Sequence, residues 1–201
     1  MRAVKPLATT CALIVLMTSI GLPAEPASGI DTAAADTMTK VRRALERLPY
    51  YGVYDFLAFG IEKGGVALKG YAHRPALKRE AEDMVRRATG AEISNRIEVL
   101  PSSTFDDRIR WATYQQVYTD EIADRYVSGG SIETRYSLLD MARFPGMEPY
   151  GTHPVHIIVK DRRVALIGVV INDADKTQIL IRARQVPHVL GLEDAIMVRA
   201  R

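Results

Sequence analysis

The sequence predicts an α+β protein made of two tandem helix-strand-strand-helix-strand units, each with two helices on one face of a small three-stranded mixed sheet. Three observations predict it. VALKG at residues 66–70 returns as VALIG at residues 164–168, the same order of strand-like and helical patterns surrounds both copies, and NRIEV at 95–99 lies over DAIMV at 194–198. The offset is 98 residues at the glycines and 99 at the closing strand, which one extra loop residue accounts for. Self-similarity at a fixed spacing, with the flanking elements in the same order, is the mark of an internal duplication.

Residues 1–29 differ from the rest. Arg2 and Lys5 precede an uncharged apolar run from Leu7 to Leu22, and PAEPASG follows. This is the pattern of a secretory signal, cleaved after Ala24 or Gly29. The only cysteine, Cys11, lies inside it, so the mature chain is expected to carry no thiol, disulfide or cysteine nucleophile. Residues 30–37, rich in Ala, Asp and Thr, read as a linker.

The first unit is expected over residues 38–101. Val41, Leu45 and Leu48 recur at helical spacing before Pro49. Two strand-like runs then flank EKGG, whose glycines suit a tight hairpin. Pro75 opens a second helix with Leu77, Ala81, Met84, Val85 and Ala88 on its buried stripe; Gly90 ends it, and ISNRIEVL alternates as a closing strand.

The second unit is expected over residues 102–201. STFDDRIRWATYQQVYTDEIADRY supplies its leading helix, capped by Ser103 or Thr104, with Asp106 and Asp107 in the first turn. VHIIVKDRRVALIGVVI reads as two strands about a turn at residues 161–163. Asn172 caps a helix that places Ile179, Ala183 and Val186 on one face, and LEDAIMV closes the unit. An insert at about 129–152 separates the leading helix from its hairpin; it holds Tyr136, Leu138, Leu139, Met141 and Phe144 and is too long and apolar for a plain connection.

These residues carry a family resemblance. A signal followed by two such units, with VALKGYA and NRIEV in the first and VALIGVV and LGLEDAIMV in the second, resembles the BON domain family, named for bacterial osmotic-shock and nodulation proteins. Asp194 stands where that family usually has Asn, and the insert has no counterpart in the minimal domain. The resemblance implies a non-catalytic periplasmic module linked to phospholipid surfaces, envelope integrity and stress tolerance.

The side chains offer little chemistry beyond this. With 27 basic against 24 acidic residues, the excess of +3 is too diffuse to announce a nucleic-acid partner. His73, His153, His156 and His188 lie near strand and loop ends rather than on one helical face, so neither a metal nor a cofactor is expected. No nucleophile elbow, phosphate loop or zinc-protease helix motif is present, and no catalytic residue is assigned.

Binding surface remains. Gly70 and Gly168 are read as structural glycines at a close backbone approach. Both sheets also have an apolar second face, with Tyr54, Phe56 and Ala58 in one and Ile158, Ala165, Ile167 and Val169 in the other, which is expected to pack between the units or against another copy. Arg108, Arg110, Trp111, Tyr114 and Tyr118 of the leading helix form a candidate lipid contact, opposed by Asp106, Asp107, Asp120, Glu121 and Asp124. The competing expectation is an adaptor in which the insert grips another envelope protein.

Overall fold

The computed structural model describes residues 28–118, 121–122, 126, 148–150 and 153–199, with residues 28–31 and 148–150 described as backbone only. The expected signal segment up to residue 27, including Cys11, and the insert residues Tyr136, Leu138, Leu139, Met141 and Phe144 lie outside the described residues. The order of elements is α1 (Ser28–Leu45), β1 (Phe56–Glu62), β2 (Gly65–Ala72), α2 (Pro75–Thr89), β3 (Ile93–Val99), α3 (Thr104–Val117), β4 (Glu148–Tyr150), β5 (Val155–Lys160), β6 (Arg163–Val170), α4 (Asp173–Arg184) and β7 (Gly191–Val198).

Residues 30–37 are a helix, not a linker: α1 runs unbroken through them. The alanines at 33–35 carry the best helix propensity of any residue. Lys40 pairs with Asp36 at 2.7 Å one turn apart, and the Thr37 and Thr39 hydroxyls donate to the carbonyls of Ala33 and Ala35, so the polar residues satisfy themselves within the helix. Val41, Ala44, Leu45 and Leu48 bury against Leu77, Ala81 and Val85 of α2 and against Leu57, Phe59, Val66 and Leu68 of the sheet. Ala88, placed on the stripe by spacing, is exposed near the end of α2.

The duplication is visible in the strand register. Leu57 lies opposite Gly70 and Val155 opposite Gly168; β1 pairs antiparallel with β2, β5 with β6, and the closing strands β3 and β7 add in parallel. Both hairpins use two-residue turns with positive φ at each position, Lys63 and Gly64 in one, Asp161 and Arg162 in the other. That twist matches the twist of the strands they join. The first turn therefore sits one residue earlier than the paired glycines suggest.

At both matched glycines a side chain has no room. A Cβ on Gly70 would stand 2.0 Å from the carbonyl oxygen of Phe56, and one on Gly168 2.0 Å from that of Pro154. Gly70 also has φ +120°, which side chains of L residues rarely adopt. The same strand-entry backbone presses on the same glycine twice.

The first sheet differs from expectation in having four strands. β4, from the end of the insert, pairs antiparallel with β1, Phe59 opposite Glu148 and Leu57 opposite Tyr150. An open strand edge is a row of unpaired donors and acceptors. Here a short segment from the later half of the chain covers it, and Pro149 lies within that edge strand, where a missing N–H costs least. The second sheet has three strands in the order β5-β6-β7.

The helix-free faces of the two sheets meet. Phe56 and Leu100 from the first unit form one buried cluster with Ile158, Ala165, Ile167 and Val169 from the second, so the apolar excess on both faces is consumed within the chain. Full burial of side chains such as Phe56, Ile158 and Ile167 contributes roughly 2 kcal/mol each. The loop before β1 adds a further tie. The Val53 carbonyl accepts from Ile157 N–H at 2.8 Å, continuing the ladder beyond the open edge of β5, and the Val53 side chain is buried in the core of the second unit.

Candidate functional site

The site builds up from α3. Ser103 caps it, its hydroxyl accepting from Asp106 N–H at 3.2 Å. At 3.6 residues per turn, positions 106, 109, 110, 113 and 117 fall on one face and are buried. That face is pinned along β5 and its turn. The buried Asp106 carboxylate accepts from Asp161 N–H at 3.1 Å and Arg162 N–H at 2.9 Å, holding the left-handed turn. Arg110 donates to the Val159 carbonyl at 2.6 Å and pairs with Asp107 at 2.5 Å. The Tyr118 hydroxyl donates to the Val155 carbonyl and accepts from Val155 N–H at 3.2 Å.

The five candidate lipid residues therefore separate. Arg110 is only 1% exposed, and its guanidinium is spent on α3 and β5, so it is not a surface contact. Its Nε has no partner among the described residues, a cost that the other two bonds offset. Tyr118 is half-buried and fixed to β5. Trp111 is 57% exposed, Arg108 is exposed, and Tyr114 is half-buried. Charge position alone did not separate Arg108 from Arg110; helical phase against Asp106 and Ile109 does.

An aromatic track runs from Trp111 across the seam. Trp111 stacks on Tyr114 with ring centres 6.0 Å apart, Tyr114 on Tyr118 at 5.0 Å, and Tyr54 of the first unit meets Tyr114 edge-on at 6.4 Å and His73 at 6.0 Å. Burial beside Tyr114 raises the Tyr54 phenol above its ordinary pKa, and burial near Arg110 holds the His73 imidazole below its own. Phe105, Tyr50, Tyr54, His73 and Arg74 had no place in the sequence-based site. The cluster YYGVY at residues 50–54 was the available signal, but nothing local says that it faces α3.

Three of the acidic residues expected to repel a membrane are engaged within the chain. Asp106 is buried and bonded, Asp107 is paired with Arg110, and Glu121 accepts from Gln178 at 2.9 Å and lies 3.5 Å from Arg182. Asp120 and Asp124 lie outside the described residues.

His153 and His156 pack against each other at the entrance of β5. His156 is fully buried between Phe56, Tyr51 and His153, and its Nε2 accepts from His153 N–H at 3.3 Å. Burial, with His153 beside it, pushes the His156 imidazole down to about 3; burial lowers His153 as well. Among the described residues no three His, Cys, Asp or Glu side chains come together as metal ligands, and no helix is long and apolar enough to cross a membrane.

Two αββαβ units joined sheet to sheet, with an aromatic track across one end of the join, define a small α+β protein. Residues 35–101, which span the first unit from within α1 to just past the end of β3, match the family model of the BON domain. The second repeats its strand order and register outside the matched residues. No curated protein matches the sequence. Among solved structures the chain is similar to two of CdsD, the structural protein of the type III secretion system of Chlamydia trachomatis. One, of the C-terminal domain, is 11% identical with a TM-score of 0.29, covering 72% of this chain and 57% of that one. The other is 12% identical with a TM-score of 0.29, covering 84% and 63%. The chain thus spans less than two thirds of either.

Proposed function

We propose that the protein is a non-catalytic periplasmic module of two BON domains that binds peripherally to anionic phospholipid and supports envelope integrity under stress. The observation that carries this reading is Trp111, 57% exposed and stacked on Tyr114, beside an exposed Arg108 that meets no acid among the described residues. An indole with its N–H at the edge of an apolar ring suits the headgroup zone. Asp106 is buried away from the surface and Asp107 is paired with Arg110, which weakens the electrostatic objection on this helix. Periplasmic placement rests on the signal pattern of residues 1–29. The adaptor reading is less favoured, because the last strand of the insert is engaged on β1.

Co-sedimentation of the mature chain with vesicles tests the proposal. Binding to phosphatidylglycerol-containing vesicles at low salt, weakened by salt and by Trp111→Ala, is the expected result. No pelleting at low salt removes the lipid reading.

A further inference from the structure

Two exposed arginines, one adjoining His73 in sequence and one a turn before Trp111, are built alike. Arg108 Cζ lies 6.0 Å from the centre of the Phe105 ring, and Arg74 Cζ lies 5.7 Å from that of Tyr50. Both rings are exposed, Phe105 at 56% and Tyr50 at 77%. Neither guanidinium makes an ion pair within 4 Å among the described residues; the acid that acts on Arg74 is Asp55, which is buried and already accepts from His73 N–H and Gly52 N–H. A guanidinium laid on a ring keeps its planar edge free, and that edge matches a phosphate in two-point contact.

One of the pair belongs to each unit, and the track joins them. From Trp111 the path passes Tyr114, Tyr54 and His73, in ring-to-ring steps of 6.0, 6.4 and 6.0 Å, and His73 is followed directly by Arg74. Tyr50 has φ 64°, a left-handed backbone that costs a bulky residue of order 1–3 kcal/mol. Core packing gains nothing from a strained ring that stays exposed, whereas a surface contact does. Arg74 is the N-cap residue of α2, its carbonyl accepting from Leu77 N–H at 3.1 Å, but its side chain makes no capping bond and is not needed for the helix end.

We propose that the lipid-binding surface is shared by the two units: Tyr50–Arg74 of the first and Phe105–Arg108 of the second are paired footholds, each taking one anionic phosphate headgroup of the same membrane, with Trp111 on the same helix as the second. This rests on the phospholipid reading above. Two exposed cations without an ion pair within 4 Å, one from each unit, beside a track of partly exposed rings fit a surface of repeated anions better than a single small ligand. The rings, tipped with hydroxyl or N–H, fit its interface.

The test uses the full mature chain and two vesicle compositions, phosphatidylcholine alone and phosphatidylcholine with phosphatidylglycerol. Arg74→Ala and Arg108→Ala are each expected to lower partitioning onto the anionic vesicles roughly fivefold, and the double variant roughly twentyfold or more. Tyr50→Ser is expected to lower it as well. Arg87→Ala, in the last turn of α2 about 20 Å from its start, should bind as wild type. All four exposed positions should leave the melting temperature unchanged. Wild-type binding by Arg74→Ala and Tyr50→Ser, with loss in Arg108→Ala and Trp111→Ala, overturns the shared surface while the phospholipid reading stands. Equal wild-type binding to both compositions overturns the anionic footholds. No binding to either composition, or retention on peptidoglycan sacculi alone, overturns both proposals together.

Discussion

Mild acid should weaken this protein well before its carboxylates titrate, and His156 sets the size of the effect. Its imidazole is buried against Phe56 and Tyr51 where the two sheets meet, and it stays neutral down to about pH 3 against an ordinary 6.5. Between those values the unfolded chain binds a proton that the folded one refuses, so stability falls as pH falls. A pH of about 5 lies about 1.5 units below the unfolded imidazole's pKa, and at about 1.4 kcal/mol per unit this removes about 2 kcal/mol. The loss approaches 4–5 kcal/mol near pH 3 by the same arithmetic. His73 and His153, both lowered by burial, add in the same direction. Asp55, raised by burial, works in the opposite one. Urea unfolding of wild type and His156→Gln at about pH 7 and about pH 5 isolates the term, because the glutamine carbonyl still accepts from His153 N–H and does not titrate. The variant should lose about 2 kcal/mol less than wild type over that interval. Equal losses in the two proteins would refute the buried neutral imidazole.

Four further outcomes follow from the geometry. Gly70→Ala and Gly168→Ala each drive a Cβ into backbone 2.0 Å away and should cost about 3 kcal/mol or more, whereas Gly90→Ala, with φ 67° but open space around it, should cost about 1 kcal/mol; urea midpoints for the three separate close approach from backbone preference. Asp106→Ala leaves the N–H groups of Asp161 and Arg162 without their acceptor and should cost about 2–3 kcal/mol, with faster amide exchange confined to that turn. Asn95→Asp sets a carboxylate where the Asn95 amide now donates to Glu82 at 2.9 Å, and should cost about 1–2 kcal/mol at neutral pH; adding Glu82→Leu, matching Leu180 of the second unit, should recover most of it. Asp194→Asn loses only the part-exposed pair with Lys176 at 2.9 Å, and thermal melts should register about 0.5 kcal/mol.

The fold was legible because its signals are local and doubled. VALKG and VALIG at matching distance from their helices fix strand, glycine and order, and Asn172 caps α4 as its pattern with Asp175 requires. The Asp194 departure stands in the sequence, but its compensation is legible only in the structure. The first unit satisfies Asn95 through the Lys78 carbonyl and Glu82; the second replaces the lost amide donor with Lys176, whose ammonium meets both Asp194 and the Ile196 carbonyl. Residues 30–37 were misread because alanine next to aspartate and threonine looks alike in a helix and a linker until neighbours decide. The site was only half legible. Trp111 announces itself, but Tyr50 and Arg74 join it only through contacts between units, which no window of sequence contains.

The loop that carries Val53 out of the first unit and along the bare side of β5 has an evolutionary consequence. Copies of a gene segment begin as equivalents, free to be shuffled, lost or multiplied. Once one copy finishes the other's sheet, and a late segment returns to close the first, neither can be inherited alone without a raw strand and an oily flank in water. From that point selection sees a single heritable object, and its two ancestries can diverge in charge and surface while their joint stays fixed.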